Sequence, residues 1–259
     1  MMVNLFCLLF AGVAHSQVDT TIVTGEYLKK TFVEEGNTLN YRILYPQDFD
    51  ENKMYPLVLF LHGSGERGDD NEKQLTHGSK LFLENMESYP AIVIFPQCPV
   101  TEYWSTVDRK ETKNGLQFTY VDGKKPNPSL SAVIDLIDEM LQKSYIDKDR
   151  LYITGLSMGG MGVFELLALI PDKIAAAAPI CGGGIREAAD RMISVPVWAF
   201  HGAKDNVVHP RHSVRMVEAI QQAGGIAKIT IYPNANHNSW DATFDDPEYL
   251  QWLFSKRRK

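Results

Sequence analysis

Three residues in this chain have the types and the surroundings to share one reaction: Ser157, Asp205 and His237. The serine sits in Gly155-Leu156-Ser157-Met158-Gly159, a G-x-S-x-G segment between the apolar run "LYIT" and the helical pattern "MGVFELLALI". Between a strand and a helix, that spacing makes a nucleophile elbow. Small residues permit the tight, strained turn, and the serine Oγ is lifted clear of the sheet. The helix that follows brings unpaired backbone N–H groups to the place where an oxyanion would develop. A serine hydroxyl is a weak nucleophile, so it needs a base, and the base needs an orienting carboxylate. Asp205 follows the apolar run "VPVWAF" in "HGAKDNVV", and His237 follows "KITIY" in "PNANHNSW". Both therefore fall just past the ends of predicted strands, as Ser157 does.

Other residues compete for chemical roles. His62 and His201 each precede a glycine directly at a strand end, and both read as structural. His209 and His212 flank Pro210, but without further ligands at suitable spacing they read as a helix start rather than a metal pair. His15 and His77 have no evident partner. "LHGSGERG" places Gly63, Gly65 and Gly68 in G-x-G-x-x-G spacing after a strand, the pattern of a dinucleotide-binding turn. That motif needs its third glycine to open a packed helix and an acidic residue at the end of the next strand. Here Gly68 precedes the polar "DDNEKQ", and the next strand ends "IFPQ", offering Gln97. The expectation is a reaction that needs neither cofactor nor metal.

The elements around these residues follow from periodicity. "YLKKTFVEEGNTLNYRILYP" predicts two alternating strands joined at Gly36-Asn37. Continuous apolar runs at Pro56–Leu61, Ala91–Phe95, Leu151–Thr154, Val195–Phe200 and Lys228–Tyr232 predict strands buried on both faces, with Ile174–Ile180 a weaker candidate. Leu130, Val133, Ile134, Ile137, Met140 and Leu141 predict a helix capped by Ser129. Val163 to Ile170 predicts a second that stops at Pro171. Val214, Val217 and Ile220 predict a third, ended by Gly224-Gly225, and Pro247 opens a last one. Strands alternating with helices imply an α/β fold, a mostly parallel sheet with helices on both faces and an antiparallel hairpin at one edge. Ser105 to Pro128 interrupts this pattern as a polar excursion containing the hairpin-like "LQFTYVDGKK".

Taken together, "LHGSGERGDDN", "AIVIFPQCP…W", "IDKDRLYITGLSMGG", "HGAKDNVV" and "HNSW" resemble the α/β-hydrolase serine esterases. That group includes phospholipase/carboxylesterase, feruloyl-esterase and polyhydroxybutyrate-esterase relatives, and is related to dienelactone hydrolases and prolyl oligopeptidase catalytic domains. In α/β-hydrolases the triad runs in the order Ser, Asp or Glu, His, which Ser157, Asp205 and His237 follow. The resemblance implies an oxyanion hole from the backbone N–H groups of Ser64 and Met158, and an acyl-enzyme route for ester hydrolysis. It also implies small or polysaccharide-linked acyl and feruloyl esters as substrates. A serine peptidase acting on short peptides, or a binding module on a hydrolase fold, are the alternatives. Trp104 and Trp240 flank the site in sequence and are candidate substrate contacts. Arg67 either pairs with Glu66 to brace its loop or meets a substrate carboxylate. The strand order of the family leaves two strands between Cys98 and Cys181, roughly 14 Å of sheet, so both are expected as free thiols.

The 259 residues are 44% hydrophobic and 22% charged, with a net charge of -6, which argues against a nucleic-acid partner. "MMVNLFCLLFAGVAHSQ" has the apolar run and small residues of a secretory signal, giving a leader at 1–16 and a catalytic domain at 17–259, secreted or periplasmic. Cys7 would leave with that leader. No apolar run is long enough to span a bilayer. The closing Lys256, Arg257, Arg258 and Lys259 are expected as a solvated helix end.

Overall fold

The computed structural model describes residues 24–34, 37–113, 115–121 and 125–258. The leader expected at 1–16 and the hairpin turn expected at Gly36 lie outside the described residues. The strands are β1 (Tyr27–Glu34), β2 (Asn37–Leu44), β3 (Tyr55–Leu61), β4 (Ile92–Pro96), β5 (Val107–Thr112), β6 (Gly115–Tyr120), β7 (Ile146–Leu156), β8 (Ala176–Ile180), β9 (Val197–Gly202) and β10 (Ala227–Tyr232). The helices are α1 (Ser79–Glu84), α2 (Pro128–Leu141), α3 (Met158–Leu169), α4 (Arg211–Gln222), α5 (Ser239–Phe244) and α6 (Pro247–Phe254).

Eight strands form one sheet in the order β1-β2-β4-β3-β7-β8-β9-β10. β1, β2 and β4 pair antiparallel, and every pairing from β4 to β10 is parallel. The parallel strands therefore all end at one edge, so the loops after Leu61, Leu156, Ile180, Gly202 and Tyr232 can meet there.

Burial on both faces explains the near-continuous apolar runs. Along β3, Leu57, Leu59 and Leu61 join the core under α2, α3 and α4, while Val58 and Phe60 join the opposite core with Phe82 of α1 and Tyr249 and Leu253 of α6. Alternate residues of one strand thus feed two cores, as the pleat requires.

Several expectations change in detail. The cap of α2 is Asn127, whose Oδ1 accepts from Leu130 N at 2.9 Å, with Pro128 at the first helical position, rather than Ser129. The excursion does form a hairpin, but from β5 and β6, with its turn ahead of the "DGK" segment and forming a separate two-stranded sheet. The basic tail is not simply solvated. Arg257 pairs with Asp147 and Asp149, and Arg258 pairs with Asp149, pinning the chain end beneath β7. Cys98 and Cys181 are both buried and unpaired.

Candidate active site

Ser157 links β7 to α3 with φ 55° and ψ -114°, a positive φ that a non-glycine residue adopts only under constraint. Such strain costs on the order of 1–3 kcal/mol and needs a surrounding structure that over-determines it. Here Ser157 N donates to Ile180 O at 2.9 Å, and Met161 N donates to Ser157 O at 3.0 Å. The glycines make room for β3. A Cβ on Gly159 would lie 1.9 Å from Leu61 O, and one on Gly155 would lie 2.6 Å from the same oxygen. Met158 is the first residue of α3, so its N–H has no partner within the helix.

Ser157 Oγ lies 2.9 Å from His237 Nε2, and His237 Nδ1 lies 2.8 Å from Asp205 Oδ2. With the carboxylate on Nδ1, the proton sits there and Nε2 is free to accept from the hydroxyl. Asp205 also takes Val207 N and Val208 N on Oδ1, each at 2.9 Å, and faces His201 Nε2 at 3.2 Å. Burial alone would raise its pKa. The hydrogen bonds from His201 and His237 and the charge of His237 outweigh that, holding the carboxyl well below the usual range. His201 is thus a buried structural neighbour of Asp205, also bonded to Ser213 Oγ and Val208 O, each at 2.7 Å.

Cys181 Sγ lies within 4.8 Å of the Asp205 and His237 donor atoms. Burial, and then the charge of Asp205, push its thiol up, so it stays protonated. A buried thiol beside two groups already bonded to each other does not make the thiolate-rich set that a soft metal selects.

The loop after β3 begins with His62 and Gly63 and turns through Ser64–Glu66. A Cβ on Gly63 would meet Leu156 Cδ1 at 2.8 Å, so this loop lies against the residue preceding Ser157. His62 fastens it. Its Nε2 accepts from Cys98 N at 3.0 Å, which leaves Nδ1 to donate to Gly63 O at 2.6 Å. Burial lowers the His62 pKa to about 4, so the ring is neutral. The expected pairing of Glu66 with Arg67 is not formed. Arg67 Nε donates to Ser64 O at 3.0 Å, and Nη1 donates to Val100 O and Glu102 O at 3.0 and 3.2 Å. Arg67 therefore braces the loop through backbone carbonyls, while Glu66 faces His77 Nε2 at 3.8 Å.

The two tryptophans divide. Trp104 is 0% exposed, with its Cβ against Gly162 of α3 and its ring 5.3 Å from His62. It is a wall behind the site, closed to a substrate, because its own packing against α3 and His62 covers it. Trp240 is half-buried and stands edge-on to His237 at 5.5 Å and near His77 at 5.1 Å. His77 is the neighbour that sequence reading missed. Its partners Glu66 and Trp240 sit on the loop after β3 and on α5, and no local spacing marks it.

A doubly cored parallel sheet carrying a strained serine elbow and Asp and His on successive strand-end loops is an α/β-hydrolase. Residues 49–249 match the phospholipase/carboxylesterase family, and the chain belongs to that family. A solved structure titled a thermostable esterase superposes with a TM-score of 0.79 and 35% identity, covering 90% of this chain and 63% of that one. A bifunctional acetylxylan esterase/xylanase of Neocallimastix patriciarum is 29% identical over 177 residues, 68% of this chain and 23% of that protein. A probable feruloyl esterase C of Aspergillus niger is 24% identical over 213 residues, 82% of this chain and 72% of that protein. The chain thus spans under a quarter of the Neocallimastix protein's length.

Proposed function

We propose that this chain is a serine carboxylic-ester hydrolase. The observation that carries this reading is the continuous line from Asp205 Oδ2 through His237 to Ser157 Oγ, with steps of 2.8 and 2.9 Å. His237 Nε2 takes the hydroxyl proton as Ser157 attacks the ester carbonyl. The N–H groups of Ser64 and Met158 stabilise the oxyanion. The alcohol leaves with the proton from His237, and water then releases the acid by the same route. Asp205 keeps the imidazole in its productive tautomer and favours the imidazolium that forms.

Acetyl or feruloyl esters linked to polysaccharide are the proposed substrates, supported by the relatives whose names carry those activities. Trp240, beside His237, is the proposed contact for the bound group. Export is part of the same proposal, supported by the apolar start of the chain. Among the described residues no helix is long and apolar enough to cross a membrane.

Labelling with a fluorophosphonate probe tests the assignment, with Ser157→Ala as control. Labelling of the native chain only, with hydrolysis of p-nitrophenyl acetate and no cleavage of prolyl peptides, is the expected result. Peptide cleavage in preference to ester cleavage would favour the peptidase reading, and an unlabelled native chain would favour a binding module.

A further inference from the structure

A cleft of about 240 Å³ lies between the β5–β6 hairpin, the segment after β8 and the start of α4. Its walls are Phe118 and Tyr120 of β6, Arg186 and Glu187 after β8, and His212 and Arg215 in the first turns of α4. The chain links it to the site directly. Ser157 N bonds Ile180 O, and three residues on, a Cβ at Gly183 would touch Tyr120 Oη at 2.4 Å and His212 Cβ at 2.7 Å. Three residues span at most about 11 Å.

The lining has a particular chemistry. Phe118 and Tyr120 meet His212 edge-on at 6.0 and 5.6 Å, giving a ring-lined wall. Arg186 and Arg215 are exposed, and among the described residues neither has an ion-pair partner. Glu187 also lacks one and is the single carboxylate among the residues that line the cleft. Tyr120 Oη is buried without a hydrogen-bond partner, and burial keeps it protonated, a donor in want of an acceptor. Burial, and then Arg211 and other nearby cations, lower the His212 pKa to about 4, so its ring is neutral.

We infer that this cleft is a subsite for a carboxylate-bearing sugar, a uronic acid, carried on the alcohol side of the ester. Guanidinium forks match a planar carboxylate, the aromatic edges match a sugar ring, and the volume suits one ring rather than a chain. The inference takes its substrate from the esterase reading, but the charge of the cleft stands apart from it.

Calorimetric titration of the native chain with a uronic-acid disaccharide, its neutral counterpart and a sugar phosphate tests the site. Roughly tenfold preference for the uronic acid is expected at low salt, shrinking as ionic strength rises. The Arg186→Gln/Arg215→Gln variant should lose that preference, and Tyr120→Phe should reduce it. In parallel, the kcat/KM ratio for acetylated acidic over neutral xylo-oligosaccharides should fall toward one in the double variant. Equal binding of the two disaccharides, a preference that survives both variants, or capture of the sugar phosphate instead would overturn the subsite. Binding of the uronic acid with no ester hydrolysis by the native chain would uphold the cleft and overturn the esterase reading.

Discussion

Along β3, β4, β8 and β9 every residue is buried, and backbone hydrogen bonds tie the loop after β3 to that after β4, the residue after β8 to β9, and the loop after β9 to that after β10. The β5–β6 hairpin beside them exposes most of its residues. A handful of contacts hold it. Thr106 N and Oγ1 bond the Glu165 carboxylate at 2.6 and 2.8 Å, Arg109 lies over the Tyr103 ring at 4.1 Å, and Tyr120 covers Gly183. The groups proposed to react thus stand on a close-packed frame that resists displacement, whereas the flank proposed to meet the rest of a substrate is held by a few polar and aromatic contacts that can change at lower cost.

That contrast breaks first at the frame. Ser157→Ala should lower kcat for p-nitrophenyl acetate by on the order of 10⁵- to 10⁶-fold with the melting temperature little changed, because the nucleophile is lost and the packing is not. Asp205→Asn should cost about 10⁴-fold in kcat, since an amide can favour the wrong His237 tautomer, and steady-state kinetics on the same ester would report it.

The hairpin should respond differently. Glu165→Ala removes the acceptor of two Thr106 hydrogen bonds, at a cost of about 1–3 kcal/mol. Amide exchange across 107–120 should quicken, while turnover of the small ester stays within about twofold of the native value. A fall in turnover as deep as that of Asp205→Asn would erase the distinction between the two regions.

The smallest effect concerns pH. An unfolded histidine takes its proton near 6.5, whereas His62 in the fold stays neutral down to about 4. Within that window the unfolded state binds more protons, so stability is fully present above 6.5 and declines as the pH falls toward 4. His212 carries a shift of the same sign and final value, so His62→Gln should reduce the loss without abolishing it. Urea midpoints at pH 7 and pH 5 should differ less in the variant than in the native chain.

Much of the frame is legible without coordinates. The apolar runs at Pro56–Leu61 and Leu151–Thr154 read as buried strands because both of their faces pack, and β3 and β7 cover them. Boundaries read less well. Asn127 rather than Ser129 caps α2, since Pro128 suits the first helical position and fixes the cap one residue earlier. Short helices such as α1 and α5 have too few turns to show a period. Arg67 read as either a partner of Glu66 or a contact for a substrate carboxylate, yet its guanidinium is held by carbonyls of its own loop and of the loop after β4.

The sequence by itself determined which groups could react and at which strand ends they would stand: a serine with a glycine two residues to either side, then an acid, then a histidine, each after an apolar run. Those signals survive in one dimension because strand and turn preferences are local. Only the tertiary structure decided what surrounds them. It set His77 and Trp240 beside His237, closed Trp104 behind α3, shared Asp205 between His201 and His237, and laid Tyr120 over Gly183. Each of these depends on the order of strands in the sheet, which brings distant loops to one edge and which no local spacing encodes.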